Sequence, residues 1–507
     1  MIKNKRIGIL TIVAICLIGL VGIGVSYAYW RFTYMQTDKN IGISKCLTIS
    51  LSEENNEINL NNIYPISDEE GRNLTPYSFK LTNTCSMSAE YLLNLEMLEG
   101  TTLNSKYLDV LVNNGDINLL SSFDNASTVI TNSVESITLV KDILTPGASK
   151  EYTISIWIDK NVTISDDAQN KDFKGKVVVN ATAISTIVDK IVAQLDTTGK
   201  CPTINSDSTV NVTGPESENS LLCSAPDNYG TSYYYRGNVE NNYVKFANFY
   251  WRIVRINGDG SIRLIYDGTV AHQNDEASED RIIGKSAFNE KSDDNAYVGY
   301  MYGTPGSSTY EETHANINDS TIKKYIDNWY ENNLKDTKYE KYLADNIFCN
   351  DRNISQSTDS NYNNFGYAKN NTKYRWNTGP WTKHDMGMIF KCINKNDNFT
   401  SNDTLIGNGN LKYPIGLLSH DEVLFAGGYN NSNLSYYLYT GTNWWTMSAN
   451  DFYSNMSYVR SVYYKGDAGN YRYAVDNSND GVKTVINLKP NSLKSGDGTI
   501  NNPYTVE

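Results

Sequence analysis

The residues best suited to chemistry lie late in the chain. In "SHDEV", Ser419 to Val423, His420 stands beside Asp421 and Glu422. A hydrolase would use such a histidine as a general base, with one of the carboxyl groups carrying the proton. Adjacent residues rarely face one another, however, and "LLSHDEV" also reads as a strand end followed by a helix start. Ser419 with Glu422 has the spacing of a capping box. The capping reading is preferred, and no catalytic residue is assigned. A second kind of chemistry is suggested by Trp444 and Trp445 in "NWWTM" and by Tyr300 and Tyr302 in "VGYMYG". Flat apolar ring faces suit pyranose rings, so these four are the candidate ligand-binding residues. The plainer alternative is that the two tryptophans pin a loop region to a sheet. Neighbours on a strand point to opposite faces, which allows one in the core and one at the surface.

Metal chemistry has less behind it. The chain has no CxxC, no HExxH and only four histidines, of which His272, His314 and His384 sit in polar segments and read as solvated. No metal-ligand set is assigned. Asp259, Asp267, Asp497 and the pair Asp293–Asp294 offer oxygen ligands to a structural calcium ion, although none has EF-hand spacing. No other cofactor is expected.

The seven cysteines fit bridges better than metals. Cys16 lies in an apolar run. The other six fall as couples within separate segments, which favours Cys46–Cys85, Cys201–Cys223 and Cys349–Cys392 among the fifteen pairings open to six cysteines. In an oxidising compartment each bridge would contribute ~2–4 kcal/mol. The N-terminus points to such a compartment. Lys3, Lys5 and Arg6 precede an uncharged apolar run, Ile7 to Val25, and no acidic residue comes before Asp38. A basic flank before such a run is an export signal with its positive end in the cytoplasm. The run is long enough to span a membrane, yet Ser26 and Ala28 stand at the −3 and −1 positions of a cleavage site. Anchoring and secretion both stay open, with a slight preference for the anchored form. Either outcome places the rest outside the cytoplasm, at the cell surface.

The elements that must position these residues fall into several segments. A chain of 507 residues exceeds one core, so two or three folded units are expected. An apolar share of 40 % and 38 tyrosines argue against disorder. A net charge of −13 without a basic stripe argues against nucleic acid as a partner. Residues 42–186 read as a β-sandwich, because Leu47, Ile49, Leu51, then Tyr77, Phe79, Leu81, then Tyr152, Ile154, Ile156, Ile158 alternate with polar neighbours. Trp157 breaks one polar face and reads as a rim or edge residue. Residues 187–228 read as a short amphipathic helix, with Ile187, Ile191 and Leu195 on one side, and a linker closed by Cys201–Cys223.

Residues 229–507 open on "WRIVRINGDGSIRLIYDG", 251–268, a hairpin whose tip Asn257–Gly260 tolerates positive φ. Its strands are apolar on both sides, so it is expected at the centre of an α+β domain. Residues 320–334 form a helix with Ile322, Ile326 and Trp329 on one stripe and Asp319 or Ser320 as cap. "KYEKYLADNIFCN" is expected to add a second helix running into Cys349.

Two resemblances follow from these segments. The signal ending "VSYAYW" and the strand "LTPGASKEYTISIWID" make residues 1–186 similar to camelysin and the TasA-type biofilm fibre proteins of Gram-positive bacteria. That resemblance implies export and, for some members, polymerisation by lending an N-terminal strand to a neighbour. Camelysin has been described as a peptidase, but this segment contains no histidine to bind zinc. Residues 229–507, with "YVGYMYG", "FCNDR", "LLSHDEV" and the "VINLKP", "SGDGT", "NPY" ending, resemble a family of repeated domains on surface proteins of gut Firmicutes. The order of elements also resembles the C-type lectin-like class, which includes formylglycine-generating enzymes. Cys349 and Cys392 are nevertheless read as a structural bridge, at a helix end and away from any pocket.

The expected protein is mainly β and multidomain. Residues 1–28 form an export signal or membrane helix, 42–186 a β-sandwich, 187–228 the helix and closed linker, and 229–507 an α+β C-type lectin-like domain. The expected function is a bacterial cell-surface adhesion protein presenting aromatic loops to glycan or protein ligands. The alternatives are a fibre or biofilm matrix subunit that self-assembles through the sandwich, and an exported enzyme of unknown reaction. The membrane is a partner if the signal is uncut.

Overall fold

A computed structural model describes residues 31–35, 47–51, 58–60, 64–84, 87–128, 133–163, 165–168, 171–184, 186–206, 216, 218–356, 358–376, 387–429, 432–469 and 471–506. The export segment 1–28, the cleavage site after Ala28, the Cys46–Cys85 pairing and His384 lie outside the described residues. Among the described residues, no helix is long and apolar enough to cross a membrane. The chain is mainly β and divides into two compact units, residues 1–146 with 150–186, and residues 147–149 with 187–507.

The first unit contains β1 (Arg31–Met35), β2 (Leu47–Leu51), β3 (Ile58–Leu60), α1 (Asp68–Arg72), β4 (Tyr77–Asn83), β5 (Ser88–Leu98), β6 (Leu108–Val112), β7 (Ile117–Leu119), β8 (Asp124–Asn125), β9 (Ser133–Leu144), β10 (Ser149–Ile158) and β11 (Phe173–Ile184). One sheet runs β1-β11-β5-β9-β8 with β3 also on β11, and the other runs β2-β4-β10-β6-β7. Alternation sends Tyr152, Ile154, Ile156 and Ile158 of one sheet, and Tyr91, Leu93, Leu95 and Met97 of the other, into a shared core. The hydroxyls of Tyr91 and Tyr152 bond across it, and Asn83 Nδ2 donates to the Leu144 carbonyl at 2.7 Å. Trp157 corrects one expectation. It is buried rather than at a rim, because α1 lies over its face and a Cβ on Gly71 would overlap the indole.

The second unit begins with α2 (Ile187–Val192), β12 (Ser220–Pro226), β13 (Thr231–Gly237), β14 (Tyr243–Phe246), β15 (Phe249–Ile256) and β16 (Ile262–Gly268). It continues through β17 (Met301–Tyr302), α3 (Tyr310–Thr313), β18 (Asn318–Asp319), α4 (Thr321–Asn333), β19 (Phe348–Cys349), β20 (Thr372–Lys373), β21 (Asn398–Phe399), β22 (Ile415–Gly416) and α5 (His420–Phe425). It closes with β23 (Trp444–Tyr453), β24 (Met456–Val462), β25 (Arg472–Ala474), β26 (Val485–Leu488) and β27 (Tyr504–Thr505). The main sheet has the order β12-β13-β15-β16-β26-β22, with the expected hairpin at its centre. Ser320 caps α4, and Ser419 with Glu422 forms the capping box of α5.

Two expectations here are revised. The helix and the bridge expected in residues 187–228 are present, but among the described residues Val188 and Ile191 of α2 enter the core and Ser220–Pro226 is a strand of the main sheet rather than linker. No second helix runs into Cys349. Only a single turn forms, at Glu340–Tyr342, because Ala344 and Tyr342 instead exchange backbone hydrogen bonds with Asn487 and Lys489 at 2.8 Å. The bridges Cys201–Cys223 and Cys349–Cys392 are present, with Cα atoms 5.6 and 5.7 Å apart.

Candidate functional site

The site is built on the hairpin, and two β-bulges decide its chemistry. In a regular strand Arg252 and Arg255 would face opposite ways. Val254 has no cross-strand partner, however, so Arg252 pairs with Ile265 and Arg255 with Arg263, two residues on the same side of β16. Asp267, unmatched at the second bulge, and Lys483 and Asn487 of the β26 segment follow the same parity. One face of a fully buried sheet therefore carries a layer of charge. The other face is apolar, where Trp251 and Tyr266 meet Trp329 of α4 with ring centroids 6.1 and 6.0 Å away.

Charge on the buried face is met by partners from α5 and the loops. Arg255 reaches Asp227 at 2.7 Å and Glu422 at 3.1 Å, and Arg263 reaches Glu422 at 3.1 Å. Burial would raise the Glu422 carboxyl, but the guanidiniums of Arg263 and Arg255 outweigh it and hold the group below the ordinary glutamate value. Arg236 donates to the carbonyls of Leu424 and Phe425 at the end of α5, at 2.8 and 3.0 Å. Farther along the layer, Asp267 accepts from Arg281 Nε at 2.8 Å, with Lys483 Nζ at 3.6 Å and Arg252 Nη1 at 3.7 Å. Burial and the neighbouring guanidiniums, partly offset by Asp267, bring Lys483 down to about 7.

At the Arg255–Arg263 end the layer borders a small pocket of about 10 Å³, room for about one water molecule. Asn228, Tyr229, Asn346, Ile347, Cys349 and Phe390 line it together with the ion-paired groups. Asn228 is locked to the backbone of Cys392, accepting at 2.7 Å and donating at 3.1 Å, so the bridge braces the wall. Cys349 thus borders a pocket, contrary to the expectation. Arg263 Nε is buried there without a hydrogen-bond partner. The Ser419 hydroxyl accepts from Glu422 N–H as the helix cap.

The residues expected to bind ligand are placed differently. Trp444, Trp445 and Tyr300 are all buried, so none offers a ring face at the surface. Trp445 donates to the Ser286 carbonyl at 2.9 Å, and Tyr300 packs 5.9 Å from Phe399. Strand β23 lies between β20 and β24 with both faces covered, which overrides the alternation argument. Tyr302 is half-buried, 5.4 Å from Tyr297, and does not join the tryptophans. His420 is buried edge-on to Trp376 at 4.7 Å, while Asp421 is held by Arg375 and Glu422 by the hairpin arginines. His272 and His314, read as solvated, are buried instead. The first sits between Glu276 and Asp280 at 2.7 and 2.9 Å, the second 2.9 Å from the Gly366 carbonyl.

The calcium candidates are spent separately. Asp259 bonds Ser261 and Asn346, Asp267 bonds Arg281, Asp293 pairs with Lys369, Asp294 caps the turn at Ala296, and Asp497 bonds Thr499. Among the described residues no group of three such ligands converges.

An aromatic surface that sequence reading passed over lies on the β24–β25 hairpin. Tyr463 and Tyr471 stack with centroids 4.0 Å apart and planes 4° from parallel, and Tyr464 leans on Tyr463 at 4.3 Å. Asn443 accepts from Tyr464 N–H at 2.8 Å and donates to the Tyr473 hydroxyl at 3.3 Å. Hydrogen bonding with Tyr464, then burial, pushes the Tyr463 hydroxyl up to about 12. The available signal was four tyrosines between positions 463 and 473 beside glycines. For the charged layer it was three arginines inside strands otherwise apolar on both faces. No family model, curated protein or solved structure matches the chain.

Proposed function

We propose that the chain is a bacterial surface protein that binds glycan or protein ligands through its second unit. The exposed tyrosine stack on the β24–β25 hairpin carries this reading. It is a preassembled aromatic surface outside the core, whereas the pocket at the end of the charged layer has room for about one water molecule. Binding is favoured over catalysis because Asp227 and Glu422 are each committed to guanidiniums and Ser419 to a cap. None of the three is poised to exchange a proton. The two bridges suit an oxidising, extracytoplasmic setting. The long hairpin, the helices and the late strand returning beside the hairpin fit a C-type lectin-like arrangement. Saturable retention of the exported chain on an array of glycans and cell-surface proteins is the expected result. Absence of retention together with concentration-dependent filaments would overturn it.

That second outcome belongs to the fibre-subunit reading, which one observation favours. Strand β1 sits at the edge of its sheet, paired with Val178–Thr182 of β11. An edge strand near a chain end can be exchanged with a neighbour. A mature N-terminus at Tyr29, with residues 30–34 required for filaments under the electron microscope, is the expected signature of that reading.

A further inference from the structure

We infer that the tyrosine hairpin, residues 463–473, is a recognition surface for neutral oligosaccharides. The inference rests on the surface-binding reading and names the ligand class and the contact residues for it. Large aromatic rings normally leave water for the core. Here Tyr464 is 41 % exposed, and Tyr463, Tyr471 and Tyr473 are half-buried, packed on one another.

The platform is rigid before any ligand arrives. Gly466 N–H donates to the Tyr463 carbonyl at 2.7 Å, Tyr463 N–H to Asp467 at 2.8 Å, and Ala468 N–H to Tyr429 at 3.1 Å. Gly466 has φ +75°, and a side chain there would run into the Asn433 carbonyl. Preorganisation of this kind lowers the ordering cost of binding.

Size and charge select the occupant. With roughly 200 Å² for a whole aromatic side chain, the four partly covered rings expose at most about 300 Å². A stable interface with a folded protein takes about 800 Å² from each partner, more than these rings expose. One or two sugar rings need only a ring face each. The axial C–H groups of a pyranose can lie on the faces of Tyr464 and Tyr471. Its equatorial hydroxyls then meet tyrosine hydroxyls and the Lys465 ammonium, which lies 5.6 Å from the Tyr464 ring centroid. The net charge of −13 disfavours polyanions, which leaves neutral saccharides.

The test uses the full mature chain on immobilised dextran, mannan and arabinogalactan, with gelatin as the polypeptide control. Saturable retention on at least one polysaccharide is expected. Tyr464→Ala should lower it by about tenfold or more, the scale of an aromatic hot spot, with the thermal midpoint unchanged. Tyr464→Phe, which keeps the ring face, should largely restore it. Undiminished retention by Tyr464→Ala, or Tyr464-dependent retention on gelatin instead, overturns this inference and leaves the surface-binding reading standing. No retention on these polysaccharides overturns it too, and the wider reading falls with it if the glycan and protein array is also blank.

Discussion

On one face of the β15–β16 hairpin, Trp251 and Tyr266 pack on Trp329; on the other, Arg252, Arg255 and Arg263 meet Asp267, Asp227 and Glu422. Both faces are closed to water, yet they are held by different physics. Apolar burial is graded, so losing part of a side chain loses part of the stabilisation. A buried ion is close to all-or-none. Desolvation is offset only while its partner is present, and removing one partner strands the other.

The sharpest way to break this contrast is an isosteric change on the charged face. Glu422→Gln alters almost no volume but removes the common partner of Arg255 and Arg263. It should cost about 3–5 kcal/mol in urea unfolding followed by tryptophan fluorescence. A cost under 1 kcal/mol would mean that Asp227 alone satisfies the layer. Next in size is the brace of the pocket. Replacing Cys349 and Cys392 together by serine should cost about 3 kcal/mol by the same measurement.

Lys483 gives a prediction of the opposite sign. Its folded value of about 7 lies below the ordinary 10.5, so between these pH values the unfolded chain holds a proton that the folded chain lacks. Wild-type stability should therefore rise with pH from 7 to 9. Lys483→Met should remove that slope and gain on the order of 2 kcal/mol at pH 7, because a buried cation near two others is replaced by an apolar side chain. A flat wild-type profile would refute the assignment. The smallest effect is expected on the apolar face, where Ile253→Val removes one buried methyl group and should cost about 0.5–1.5 kcal/mol. A cost as large as that of Glu422→Gln would erase the distinction between the faces.

How much of this could be read from the chain follows from the same contrast. The hairpin, its two-sided burial, the Ser320 cap and the Ser419–Glu422 capping box are set by neighbours in sequence, and they were legible. The charged layer was not, because it depends on Val254 and Asp267 lacking cross-strand partners. Nothing in the local pattern announces a bulge. The placement of Trp444, Trp445 and Tyr300 also escaped, since exposure depends on what covers a strand from distant parts of the chain. The tyrosine hairpin escaped for the reverse reason. Four tyrosines beside glycines carry no local mark of exposure, and only the third dimension shows that they stack on each other outside the core.

The position of β26 between β16 and β22 has a consequence for how the second unit is made. Ile265 pairs with Val485, so the neighbour that completes the hairpin leaves the ribosome more than two hundred residues later. Glu422 and Lys483 also arrive late. During synthesis the hairpin arginines stay hydrated, and the central sheet cannot close early around them. Such non-local pairing slows folding. Under the surface location proposed above, that delay would keep the unit threadable until almost all of it had crossed the membrane.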